Sequence, residues 1–223
     1  MKLHLQIPDS IKDITLKQYM DFERVNIEGN QDSIFLMQKT VEIFCNVNLD
    51  LTLQIKYNDL KEITNHIYSL LEKDTDLVTV FKLEDIEYGF IPKLDDITLG
   101  EYIDLDTYLG SWKNMHKAMS ILYRPIEYRK GNRYLIEDYK GTDDADKMLN
   151  VSLDVPLGAM VFFWNLRSEL LSLSLNYSRQ ALGENLTSEQ LQTLEVNGVG
   201  INQSLHSLTA ILNDLKISQN YRL

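Results

Sequence analysis

One ten-residue segment occurs twice, and it dictates how two parts of the chain must begin. Asp13-Ile14-Thr15-Leu16-Lys17-Gln18-Tyr19-Met20-Asp21-Phe22 returns as Asp96-Ile97-Thr98-Leu99-Gly100-Glu101-Tyr102-Ile103-Asp104-Leu105, with six of ten positions identical and two more apolar in both. Thr15 with Gln18, and Thr98 with Glu101, have the Thr-x-x-Gln/Glu spacing of a capping box, in which each partner satisfies a free N–H group at a helix start. Ile14 with Tyr19, and Ile97 with Tyr102, have the spacing of the hydrophobic staple that closes over such a start. Each copy follows an Ile-Pro pair, Ile7-Pro8 and Ile91-Pro92, with one residue of slippage. Each pair ends an alternating stretch, Leu3–Ile7 and Ile86–Phe90, that reads as a strand. The predicted unit is strand, Ile-Pro turn and capped helix, followed in each half by a second helix, Ser33–Phe44 and Ser111–Tyr123. Every repeated residue has a folding role, so the repeat is structural before it is anything else.

The remaining segments extend this pattern. Leu60, Ile63, Ile67, Leu70 and Leu71 make Asn58–Leu71 an amphipathic helix, with Asn58 as its expected cap. Leu77–Phe81 reads as a strand pairing with Ile86–Ile91 across Lys82-Leu83-Glu84-Asp85, and Tyr128–Tyr139 as a hairpin turning at Lys130-Gly131-Asn132. Gly141–Lys147 is polar and reads as a loop or short helical turn. Pro156 suits the first turn of a long helix that Gly183 would end, with a short helix at Thr187–Glu195 and a last one at Ile201–Lys216. The expected fold class is α+β, mainly α-helical. It divides into a mixed domain over 1–152, with half-repeats at 1–75 and 76–140, and a C-terminal helical arm or hairpin over 153–223.

Charge and cysteine content narrow the function. Twenty-two basic against 33 acidic residues leave a net charge of −11, which disfavours a general or sequence-specific nucleic-acid binder needing a basic stripe. Cys45 is the only cysteine and lies in an apolar run, so a buried, inert thiol is expected, with no intrachain disulfide and a reducing compartment. The first residues lack the apolar core of a signal peptide, and the most apolar window, Val155–Leu166, falls short of the roughly 20 residues that span a bilayer. A soluble, non-membrane protein is the expectation.

The residues that could carry catalysis or bind a metal are scattered along the chain. His4, His66, His116 and His206 lie on separate segments without ligand spacing. Gly198-Val199-Gly200 is too short for a dinucleotide fingerprint. Asp143-Asp144-Ala145-Asp146 lacks the glycine and distal glutamate of a calcium loop. Asp104 and Asp106 stand two apart on a helix and face different ways. No catalytic, metal or cofactor site is assigned; the best handle for an unrecognised enzyme is a pocket collecting Asp104, Asp106 and His116.

Two features fit partner binding instead. Arg124, Arg129, Lys130 and Arg133 form the one local basic cluster. It either offsets nearby acids such as Glu127 and Glu137 or meets an acidic surface, such as the 84–106 stretch of another copy. Leucine seams recur at 4-3-4 spacing through Leu166, Leu170, Leu173 and Tyr177, and again through Ile201, Leu205, Leu208, Leu212 and Leu215. They pack within one chain as an antiparallel pair or dock on another subunit.

The segment from Phe90-Ile91-Pro92 through Ile97-Thr98-Leu99-Gly100-Glu101-Tyr102, and on through Trp112 to Ile126, resembles small proteins of tailed bacteriophages, crAss-like and related, from structural gene regions. The resemblance spans about residues 1–140. It implies a non-enzymatic virion protein: a subunit of an oligomeric head–tail or tail-associated ring that is made in the host cytoplasm and carried in the virion. The implied partners are further copies of the chain and portal, ring or tail subunits. The alternatives are a tail-assembly chaperone or adaptor not retained in the particle, and an enzyme with an unrecognised site. The resemblance supplies no catalytic residues and no cofactor.

Overall fold

The first helix starts where its capping box places it. In the computed structural model, which describes residues 5–26, 33–94 and 97–165, α1 runs Leu16–Glu23 with Thr15 as its cap. The Thr15 hydroxyl accepts from the Gln18 N–H, and the Gln18 carboxamide oxygen accepts from the Thr15 N–H at 2.9 Å. The second copy does the same: α5, Leu99–Tyr108, is capped by Thr98, whose N–H donates to Glu101 at 2.7 Å. Both boxes form because all their partners lie within three residues, so no tertiary contact is needed to assemble them.

Between them lie α2 (Ile34–Phe44, capped by Ser33), α3 (Leu49–Thr52) and α4 (Tyr57–Leu71). The expected cap of α4 is corrected: Lys56 stands at the cap position without a side-chain bond, and Asn58 lies inside the first turn. The second copy leads through a 3-10 turn at Trp112–Asn114 into α6, Met115–Leu122. The short helical turn read as one alternative for Gly141–Lys147 is a 3-10 segment, Ala145–Asn150, and a further helix, α7, is described over 154–165 with Pro156 in its first turn. The fold is α+β and mainly helical.

Four antiparallel strands make one sheet in the order β1-β2-β3-β4: Val80–Leu83, Ile86–Phe90, Tyr123–Lys130 and Arg133–Ile136. Both expected hairpins form, with two-residue turns at Glu84-Asp85 and Gly131-Asn132. Gly131 takes φ +61°, the left-handed conformation at which glycine carries no Cβ penalty. β3 begins at Tyr123, directly after α6 and five residues before the expected hairpin start, because Tyr123, Arg124 and Pro125 pair with β2.

The strand expected at Leu3–Ile7 is absent over its described part: residues 5–8 have no regular structure. Alternation yields a strand only where a sheet edge accepts its backbone. The first copy is bridged instead by a later segment: Leu16 N–H donates to Val151 O and Leu153 N–H to Ile14 O, both at 2.8 Å. The N-terminal segment is held by His66, whose Nε2 lies 2.9 Å from Pro8 O.

A single core gathers both halves. Tyr19 of α1 meets Trp112 edge-on with ring centroids 4.5 Å apart, and Phe90 of β2 meets Tyr123 and Phe162. Leu153, Val155, Leu157, Ala159 and Met160 belong to this same core, so the division drawn at 152/153 runs through packed side chains. Gly158 shows how close the approach is: a Cβ there would lie 2.2 Å from the Asp76 carbonyl oxygen. Cys45 is buried, as expected, and burial pushes its thiol from 9.0 up to about 11.

Candidate functional site

The two capping boxes use their second heteroatom differently, and this positions everything around the site. Gln18 Nε2 donates to Ile43 O at 2.9 Å, tying α1 to the end of α2. At the equivalent position, Glu101 Oε1 accepts from Arg124 Nη1 at 2.7 Å, tying α5 to the start of β3, two residues past α6. Both groups are inside the protein, the guanidinium 13% and the carboxylate 3% exposed. A buried pair of this kind is costly to break, because either survivor is left charged in a poor solvent.

Arg124 and Glu101 help line an open groove of about 990 Å3, bounded by Ile91-Pro92, Thr98 and residues 132–139 of β4 and its exit. Tyr134 crosses one wall, its hydroxyl donating to Phe90 O at 2.9 Å and Thr79 O at 3.3 Å, and burial raises its pKa. A Cβ on Gly89 would meet that ring at 2.5 Å, so only glycine lets it lie flat on the sheet. Tyr139 donates to Asp104; burial first, and then this bond, raise its pKa well above the ordinary tyrosine value.

The predicted basic cluster is divided by the structure. Arg124 pairs internally with Glu101, and Arg129 pairs with Glu87 at 3.1 Å, rather than with Glu127 or Glu137. Glu137 is engaged by Lys140 at 3.2 Å. Lys130 and Arg133 are exposed on either side of the β3–β4 turn. Leu205, Leu208, Leu212 and Leu215 lie outside the described residues, as do the seam from Leu166 to Tyr177, the helices expected beyond it, His4, His206 and the Gly198–Gly200 stretch.

Asp104, Asp106 and His116 do not line the groove. Asp104 is held by Tyr139, while His116 faces Asp146 at 3.7 Å, its pKa lowered by burial against the opposing pull of that carboxylate. Asp144 is bonded to Lys147 at 3.1 Å. Among the described residues no group of three or more histidine, cysteine or acidic side chains could hold a metal ion, and no helix is long and apolar enough to cross a membrane.

What sequence reasoning missed is exposed apolar surface. β2 pairs with β3 only over Tyr123–Pro125, and the rest of β3 with β4 forms a two-stranded arm that lies against β2 on one face, through Tyr134 and Arg129, and is open on the other. The register shift between Ile126 and Tyr128 turns the pleat. Tyr128 and Leu135 then stand opposite each other, with Lys130 and Arg133 on their face. The pair is 59% and 63% exposed. On α5, Leu99, Tyr102 and Ile103 are 75%, 40% and 53% exposed. The sequence held a signal for this second patch. Leu105 and Leu109 already give α5 an inward face, so a second apolar stripe on another side had to remain uncovered.

Compared with family models, with curated proteins and with solved structures, the chain matches none.

Proposed function

We propose that this chain is a non-enzymatic structural protein of a tailed-bacteriophage virion, one subunit of an oligomeric head–tail or tail-associated ring that works through protein–protein contacts. The observation that carries the reading is the pair of exposed apolar patches, Tyr128 with Leu135 on the arm and Leu99 with Ile103 on α5, both on regular elements fixed to the core. Patches of this kind, rimmed by charge, mark contact surfaces. The resemblance of residues 1–140 to phage structural-region proteins supplies the setting.

The deciding experiment is quantitative mass spectrometry of purified particles. A ring subunit is present in several copies per virion. Abundance in infected cells with none in finished particles would replace this reading with that of an assembly chaperone or adaptor.

A further inference from the structure

The segment that seals the first copy of the repeat also closes over a histidine. The 3-10 segment Ala145–Asn150 packs against α6, with Ala145 and Met148 buried. The chain then crosses to α1, where Leu16 N–H donates to Val151 O and Leu153 N–H to Ile14 O, both at 2.8 Å. Residues 145–153 thus form one clasp joining α6 to α1. Beneath it Ile14 and Leu16 are wholly buried. His116 of α6 meets this clasp, with Nε2 3.7 Å from Asp146 Oδ1. The imidazole is 13% exposed and the carboxylate 88%. His116 Nδ1 is buried and has no hydrogen-bond partner among the described residues.

A neutral imidazole tolerates these surroundings: its one N–H sits on Nε2, toward the carboxylate, and Nδ1 keeps only a lone pair. The imidazolium carries N–H on both nitrogens, and the buried one meets no acceptor. Asp146 favours the charged form, but from an exposed position where its attraction is screened. Lys117, the next residue of α6, opposes it and lies over the Tyr108 ring of α5 at 5.0 Å. Charged groups on the other elements around α6 have partners of their own. Asp104 of α5 is held by Tyr139, Glu101 of α5 by Arg124 of β3, and Lys147 of the clasp by Asp144. Lys113, on the turn before α6, is exposed. Burial therefore outweighs the one attraction, and the closed clasp disfavours the proton.

We infer that protonation of His116 releases the 145–153 clasp from α6 and uncovers Ile14 and Leu16, an acid-sensitive catch built into the fold. Lifting the 3-10 segment returns the imidazole to water, and a single short bridge ties the clasp to α1, so the opening is local. With the clasp open, His116 titrates near its ordinary 6.5. Closure is therefore at full strength above that pH. It weakens as pH falls toward the lowered value of the closed state, by at most about tenfold per pH unit for one proton.

Amide hydrogen exchange on the full chain, corrected for intrinsic rates and followed between about pH 5 and 7.5, reads this opening at the Leu16 and Leu153 amides. Their protection should fall severalfold below the ordinary histidine pKa, while amides of the β1–β2 hairpin keep theirs. His116→Gln, which cannot titrate, should hold the protection of Leu16 and Leu153 level with pH. Asp146→Asn, at an exposed position that the fold tolerates, removes the favourable charge and should deepen the acid loss by about twofold. Protection at Leu16 and Leu153 that is flat with pH in the wild type would overturn the inference. So would a loss that His116→Gln leaves unchanged, or one shared equally by the β1–β2 amides. An Asp146→Asn chain less acid-sensitive than wild type would overturn it as well, because the charged pair would then be holding the clasp shut.

Discussion

α1 and α5 begin with nearly the same ten residues, yet one is sealed into the core and the other stands half outside it. The local part of each is identical: Thr cap, Gln or Glu at the third helical position, and reciprocal bonds. The difference lies in what each third residue reaches for beyond the box. An amide can donate to the carbonyls that end α2, whereas a carboxylate needs a cation and finds Arg124. A helix start is thus specified locally, while the fate of its apolar stripe depends on what the rest of the chain brings to it.

The comparison can be broken in several places, and the largest expected effect is at the ion pair. Arg124→Met strands the Glu101 carboxylate in the interior and should cost about 3–5 kcal/mol in urea unfolding. Gln18→Ala, which removes only neutral bonds at the equivalent place, should cost about 1–2 kcal/mol. If the two costs were equal, the anchors would not differ as described.

Next come the paired leucines. Leu16→Ala empties a fully buried site and should cost about 2–5 kcal/mol. Leu99→Ala, at the same place in the repeat, should stay within about 0.5 kcal/mol in a dilute sample. Thr15→Ala and Thr98→Ala remove one cap each and should cost about 1 kcal/mol alike, which shows that the boxes themselves are equivalent.

The smallest effects separate the halves by pH. Burial raises the Cys45 thiol beside α2 from 9.0 to about 11, so the folded state holds its proton more tightly than the unfolded chain. That contribution is complete below pH 9 and is lost as pH rises toward 11. His116 on α6 is shifted the other way, by burial, below its ordinary 6.5. Its contribution is present above that value and is lost as pH falls through the lowered pKa. Denaturant midpoints for Cys45→Ala and His116→Gln should flatten the alkaline and the acid limb respectively.

These contrasts also show where the sequence could be read. Capping boxes, the start of α2 at Ser33 and the two hairpins were legible because their partners lie within a few residues. The strand expected over Leu3–Ile7 is absent over its described residues, 5–7, because pairing needs an edge that no local pattern reveals. The partner of Arg124 was missed because Glu101 lies 23 residues away and already has a local role in its capping box. The contrast in exposure between Leu16 and Leu99 was not carried by the motif, since identical residues in identical motifs carry no sign of what will cover them; only the inward face that Leu105 and Leu109 already supply hinted at it. It comes from Val151–Leu153, more than a hundred residues downstream of the first copy.

The most direct measurement is the solution mass of the wild-type chain across a concentration series. The open face of α5 predicts a mass above 25.9 kDa that rises with concentration. A mass fixed at 25.9 kDa throughout would contradict it.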